Sequence, residues 1–536
     1  MRMAVPSRKS VIFQGAIVLT IAGLLTKIMS AAYRVPYQNI VGDIGFYIYQ
    51  QVYPFYGIAI MLATSGFPVI VSKLFAEYGE GHNPADLRRI WRVSSVFLVL
   101  TGLLSFTLLY TGAGWIAGIM GDMHLQPLIE IISFSFLLVP FVSVLRGYFQ
   151  GMHHMFPTAL SQVVEQAFRV ITIIGLAYIL LKSGSSLYKA GEGALIGSLT
   201  GSAAALVVLV IYWYRRDRVE LAGPSQPSQI RIRDLVKDLL LFTFTICVSS
   251  LLLILIQLVD ALQLFSMLIN KGMDPTAAKT LKGIYDRGQP LIQLGTVVAT
   301  SLSLSLVPLI SSAKRRNDEK FIRDKINLSI KVCLAVGAGA TVGLIGIVEE
   351  TNIMLFRNNY GSEILGILSL SILFTSLSMT IAAILQGLNQ TIYPAISVIA
   401  GVVIKIVLNL ALIPKYEADG AAVASVAAFF VVAILNIYFL RKKQYKLNDY
   451  RSIVKIGLSA ILMLAVLRGY MAGFEWIFGR NRALASIEAL TAVAAGGAVY
   501  LYSVIKLNVF SNEELDIVPF GTKIRLWSHK KRGGKK

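Results

Sequence analysis

The groups in this chain that can do chemistry are a few ionisable residues set inside long apolar runs. Lys27 and Arg34 stand seven residues apart, close to two helical turns, and so share a helix face. With Arg287 and Lys405 they offer cations to an anionic oxygen, and a guanidinium suits phosphate because it can donate two parallel hydrogen bonds. Glu165 and Arg169 lie four residues apart, which puts them on one helix face at ion-pair distance. That pair reads either as structural or as a gate that a transporter breaks and remakes. Asp260, with Gln257 one turn before it, and Asp286 beside Arg287 supply oxygens of the kind that take up Na⁺ or H⁺. A charged side chain facing lipid is costly, so these groups are expected to line a bundle interior or a watery cavity. Two plainer readings stand beside these: Arg34 snorkelling to the outer interface, and Asp286 pairing with Arg287.

Other chemistries lack their residues. The two cysteines, Cys247 and Cys333, sit in apolar runs and supply neither a disulfide framework nor a thiolate metal site. His153-His154 has no neighbouring carboxylate or cysteine, so no metal is expected. Gly337-Ala338-Gly339 lies in mid-run without a preceding strand and is not a nucleotide loop. Gly197 to Gly201 and Gly339 to Gly343 have the spacing that lets helices approach closely. No nucleophile elbow or paired catalytic carboxylates stand in a suitable context, and no enzyme activity or cofactor is expected.

The elements that carry these residues must cross a membrane. Hydrophobic residues make up 55% of the chain and charged residues only 15%, where a water-soluble chain carries about 25% charged residues. A helix needs about 20 mainly apolar residues to span the hydrocarbon core, and unbroken runs exclude the alternation of barrel strands. About fourteen such runs are present, near 11–33, 44–71, 93–112, 128–148, 157–181, 191–214, 238–265, 286–312, 328–349, 364–386, 392–414, 420–440, 453–472 and 483–505. The first resembles a signal peptide after Arg2, Arg8 and Lys9, but its length and its internal Lys27 mark it as a retained span. The predicted fold is therefore all-α and integral to the membrane. A six-helix lobe over 1–214 and a basic connector over 215–237 precede a second six-helix lobe over 238–440. Two additional helices lie over 441–505, and a basic tail over 506–536.

The net charge of +21 falls mostly in alternate loops, which is the positive-inside pattern and not a nucleic-acid surface. Both termini are expected in the cytoplasm. The two halves also match locally. Gln150-Gly151 with Pro157 recurs as Gln386-Gly387 with Pro394, and Ala63-Thr64-Ser65 with Pro68 recurs as Ala299-Thr300-Ser301 with Pro308. A duplicated even-span half keeps its orientation, so parallel repeats facing each other across a cavity are expected.

The stretch Arg146-Gly147-Tyr148-Phe149-Gln150-Gly151-Met152, with Pro157-Thr158-Ala159, Ser161-Gln162-Val163-Val164-Glu165-Gln166 and Arg169-Val170, closely resembles the polysaccharide-exporter branch of the multidrug/oligosaccharidyl-lipid/polysaccharide exporter superfamily. Gly66-Phe67-Pro68 and Ser72-Lys73 are similar to the stage V sporulation protein B group, which is related to the bacterial lipid II flippase. The resemblance implies alternating access in the bacterial cytoplasmic membrane. The cargo it implies is an undecaprenyl-pyrophosphate-linked saccharide for cell-wall, spore or surface-glycan synthesis, with Na⁺, H⁺ or the membrane potential as energy source. Lys27, Arg34 and Arg287 match basic cavity positions of lipid II flippases, whereas the second span has no matching arginine. Membrane lipids and envelope-synthesis enzymes are the expected partners. A cation-coupled drug or metabolite antiporter of the same superfamily and a non-transporting scaffold are the competing readings.

Overall fold

Long apolar runs in lipid must close their backbone hydrogen bonds within themselves, and the described residues of the computed structural model form helices placed between Arg8 and Lys506, with no strand among them. Those residues are 8–78, 83–217, 227–228, 230–304, 310, 313–314, 316–445, 449–479, 481–511 and 513–514. Residues 218–226 of the connector with Pro224, Pro308, Arg315 and the tail past 514 lie outside them.

Among the described residues, eleven helical stretches are long and apolar enough to cross a membrane. Two of these hold two expected spans each: Ile17–Tyr78 has 62 residues and Ile392–Lys442 has 51. As straight rods they would reach about 75 to 95 Å, far beyond a hydrocarbon core of about 30 Å. Both are broken, at Gly42 (φ 69°) within Arg34–Met61 and at Glu417 (φ 51°) after Pro414. The expected eighth span begins in the helix Gly288–Leu304 and continues into residues outside the described set. The count of fourteen rests on these breaks and on that continuation.

The chain forms two compact units, Met1–Asp286 and Arg287–Lys536. This division falls later than the connector at 215–237, where the sequence suggested that the lobes meet. The helices Leu252–Asn270 and Pro275–Asp286 pack within the first unit, and the causes are local. Gln51 Nε2 donates to the Ala261 carbonyl at 2.9 Å. Lys279 Nζ lies 3.1 Å from Asp122. Gly283 comes so close to Asp43 that an added Cβ would sit 2.2 Å from its carbonyl oxygen.

In the first unit the helices Met155–Lys182 and Leu187–Tyr212 run closely together along a glycine stripe. A Cβ at Gly197 would meet Ile173 at 2.8 Å, and one at Gly201 would meet the Glu165 carbonyl at 2.6 Å. The small-residue spacing therefore does serve close packing. In the second unit Ser362–Gly387 packs against Glu319–Gly346, Gly288–Leu304 and Ile392–Lys442. The last two helices, Tyr450–Phe478 and Arg482–Lys506, dock on Glu319–Gly346: Tyr500 lies over Gly339 and donates to the Ala335 carbonyl. Lys331 pairs with Asp449 and Glu514 beside them. Burial raises the Asp449 carboxyl, but bonds from Lys331 and Ser452 outweigh it and pull the pKa down to about 2.

The turns that carry the repeated Gln-Gly share one hydrogen-bond pattern. After Gln150-Gly151, His153 adopts a left-handed φ of 62° and His154 N–H donates to Phe149 O. After Gln386-Gly387, Asn389 has a φ of 59° and Gln390 N–H donates to Leu385 O. Both are six-to-one helix ends closed by a left-handed residue. His153 is thus a helix-terminating residue.

Replacing Gly283 with alanine pushes a methyl group into backbone that has no room to yield. Gly283→Ala is expected to cost about 1–3 kcal/mol, read as a lower thermal unfolding midpoint in detergent. Wild-type stability in that variant would contradict the close contact.

Candidate functional site

Arg34 opens the helix Arg34–Met61, directly after a turn at Tyr33. Its side chain is 0% exposed, and none of its three guanidinium nitrogens has a hydrogen-bond partner among the described residues. Its charge rests on an aromatic face, with the Tyr53 ring centroid 4.4 Å from Cζ. Snorkelling to an interface does not describe this residue.

Arg169 joins the same aromatic cluster. Its Nη2 donates to the hydroxyls of Tyr33 at 3.0 Å and Tyr49 at 3.1 Å, and its Cζ lies 4.3 Å from the Tyr56 ring and 5.6 Å from the Tyr53 ring. Two guanidinium groups therefore border one tyrosine ring, and among the described residues neither forms a salt bridge with a carboxylate. Cation–π contacts of this kind contribute about 2 kcal/mol when desolvated, less than burial of an unpaired charge costs. The arrangement is suited to receiving an anion.

Glu165 does not pair with Arg169 as their spacing suggested. Its Oε2 is 2.7 Å from Arg146 Nη2, and its Oε1 accepts from Ser202 at 3.1 Å. Arg146 also donates to Ser161 Oγ and to the Ala63 carbonyl. Ala63 lies in the π-helical segment Leu62–Gly66, where wide winding weakens the regular ladder and leaves carbonyls for side chains. Arg146 of the Arg-Gly-Tyr-Phe-Gln-Gly stretch and Glu165 thus join four helical segments of the first unit around one buried ion pair.

Asp286 likewise takes a different partner from its neighbour Arg287. Both of its oxygens accept from Lys282 Nζ at 2.7 Å, one turn back on the same helix. Asp260 is buried and accepts from Tyr285 Oη at 2.7 Å, and Gln257 is buried one turn before it. Asp286 lies within electrostatic range of both Asp260 and Arg34. Arg34, Arg169, Asp260 and Asp286 are thus all buried in the first unit.

The other expected residues are described each within its own unit. Lys27 is exposed on the helix Arg8–Ala32. Arg287 belongs to the second unit, where Nη1 donates to Asn358 Oδ1 at 2.8 Å and Cζ lies 5.1 Å from the Phe356 ring. Lys405 is fully buried there and donates to the Ala421 carbonyl and to Ser425 Oγ. Sequence reading missed Lys282 and the tyrosines. The tyrosines had a signal, because Tyr33, Tyr37, Tyr49, Tyr53 and Tyr56 recur at helical spacing on either side of Gly42.

Removing one partner of the Arg146–Glu165 pair strands a buried charge. Glu165→Gln is expected to destabilise the fold by about 3–5 kcal/mol, while Arg146→Met/Glu165→Met recovers much of the loss. Chemical unfolding of both variants checks this, and a single variant as stable as wild type would contradict the pair's role.

A family model described as "Polysaccharide biosynthesis protein" matches residues 12–314. The chain is 52% identical over 515 residues to the uncharacterized membrane protein YabM of Bacillus subtilis, covering 96% of each chain. It is 30% identical over 524 residues to the lipid II flippase MurJ of the same organism, covering 92% of this chain and 95% of that one. Among solved structures, lipid II flippase MurJ in an inward closed conformation aligns with a TM-score of 0.62 at 18% identity, over 92% of this chain and 99% of that one. At that identity the structural match speaks for the fold.

Proposed function

Because the chain belongs to the polysaccharide biosynthesis protein family, within the multidrug/oligosaccharidyl-lipid/polysaccharide exporter superfamily, we propose that it flips a lipid-linked saccharide from the inner to the outer leaflet by alternating access. The observation that carries this reading is the Arg34 guanidinium, buried with no hydrogen-bond partner of good geometry among the described residues and bordering the same Tyr53 ring as Arg169. An arrangement this costly fits a group whose partner arrives with the cargo. Pyrophosphate suits it, since its oxygens accept paired hydrogen bonds from guanidinium, and a polyprenyl tail can stay in lipid while the head group crosses.

In this reading Arg34 and Arg169 bind the pyrophosphate when the tyrosine cluster opens, and Arg287 and Lys27 contact it at other points of the cycle. Lys405 and the Arg146–Glu165 pair hold helices together. Asp260 with Gln257 is the carboxylate site for a coupled cation. A potential positive outside draws an anionic head group outward by about 2.3 kcal/mol per charge at 100 mV, so the potential alone can supply drive.

The test is outward translocation of fluorescent undecaprenyl-pyrophosphate saccharides in proteoliposomes. Losing a charged hydrogen-bond donor costs about 1.5–3 kcal/mol, so Arg34→Ala is expected to slow transport roughly 10- to 100-fold with the protein still folded. Undiminished transport by that variant, or none by the wild type, would overturn the proposal.

A further inference from the structure

The flippase reading leaves one buried cluster of titratable groups in the first unit unused. Asp122 is 4% exposed and caps the short turn Met123–Leu125, where its Oδ1 accepts from the His124 N–H. Its Oδ2 takes three further donors: Tyr188 Oη at 2.6 Å, Lys279 Nζ at 3.1 Å and Tyr47 Oη at 3.2 Å. Lys279 also donates to Tyr188 Oη at 2.6 Å, so ammonium, phenol and carboxylate close a triangle. One carboxylate thereby gathers the helices Arg34–Met61, Leu187–Tyr212 and Pro275–Asp286. Tyr188 stands in the first turn of Leu187–Tyr212, and the basic connector follows its last turn. The cluster and the connector therefore lie at opposite ends of that helix, and the positive-inside pattern makes the cluster's end the outer one.

Two features separate this cluster from a fixed fastener. The Lys279 side chain is 18% exposed, whereas Arg146 in its pair with Glu165 is 0% exposed. Water can therefore take over the ammonium, and parting the pair does not strand that charge dry. The second feature is where Tyr47 sits. It precedes Tyr49 by two residues on one helix, so the two side chains point about 200° apart. Tyr47 reaches Asp122 while Tyr49, Tyr53 and Tyr56 border Arg34 and Arg169. A tilt of that helix which opens the tyrosines to cargo also draws Tyr47 away from Asp122. We infer that Asp122, Tyr188 and Lys279 form an outer latch, which holds the helix Pro275–Asp286 closed against the first unit while the arginines take up an anionic cargo and then parts for outward release. The cargo in this inference rests on the flippase reading; the latch rests on the cluster's own geometry.

Gly121 and Ser266 touch beside the latch without belonging to it. A Cβ added at Gly121 would lie 3.4 Å from Ser266 Cβ, close to the separation of about 3.5–4.5 Å that a disulfide spans. The first experiment makes Gly121→Cys/Ser266→Cys in the full chain with Cys247→Ala and Cys333→Ala, and follows translocation in proteoliposomes. Oxidation is expected to slow translocation at least roughly tenfold relative to the reduced form, and dithiothreitol to restore it. Equal transport by the oxidised and reduced forms would overturn the latch. Because a cysteine at the left-handed Gly121 (φ 79°) is strained, a second measurement leaves that glycine alone. Ser266→Cys is labelled with a maleimide in detergent, with the buried Cys247 and Cys333 as internal controls. Adding Asp122→Asn is expected to raise the labelling rate at residue 266 at least roughly tenfold while both native thiols stay unlabelled. An unchanged rate would overturn the inference, and labelling of all three thiols would overturn it in favour of a structural role. Wild-type protein that translocates nothing would instead overturn the flippase reading, and the labelling rate would still decide the latch.

Discussion

Burying a guanidinium without a counter-charge is among the costliest things a membrane protein can do, and the first unit is organised around having done so at Arg34. The side chain is fully buried, no carboxylate among the described residues forms a salt bridge with it, and the surrounding tyrosines return only part of the lost solvation. The neighbouring acids are held by other cations. Glu165, the acid that sequence spacing placed beside Arg169, is tied to Arg146, and Asp286 is tied to Lys282. Two internal ion pairs thereby leave the pair of arginines without salt-bridged acids.

Backbone departures make those ties reach. The π-helical winding at Leu62–Gly66 presents the Ala63 carbonyl to Arg146, and the glycines at 197 and 201 bring a neighbouring helix close enough for Ser202 to reach Glu165. The break at Gly42 divides the Arg34–Met61 helix and separates Tyr33 and Tyr37 from Tyr49, Tyr53 and Tyr56 along the chain, while their rings still gather. Packing, ion pairing and the tyrosine cluster are thus one arrangement in which each part constrains the others.

Much of the architecture was legible in the sequence because lipid permits few solutions. Apolar runs of membrane length must be helices, and the repeated Gln-Gly turns proved alike down to their left-handed residues. Part of the candidate site's charge was legible: Arg34 and Arg169 were both singled out and both are buried, while Lys27, singled out with them, is exposed. Their partners were not, because helical spacing shows which residues share a face and not which neighbouring helix faces them. Glu165 and Arg169 satisfy the ion-pair spacing, yet Glu165 pairs at 2.7 Å with Arg146, nineteen positions earlier. The division after Asp286 was hidden for a related reason, since it depends on contacts such as Gly283 against Asp43 that join residues remote in sequence.

Native mass spectrometry of the purified chain bears most directly on the claim that two arginines with no salt-bridged acid await an anionic cargo. The protein is mixed with equal amounts of undecaprenyl pyrophosphate and of undecaprenol, which share a tail and differ in charge. Preferential retention of the pyrophosphate lipid, lost in Arg34→Gln/Arg169→Gln, is the result the account predicts. Equal retention of the two lipids by the wild type would contradict it.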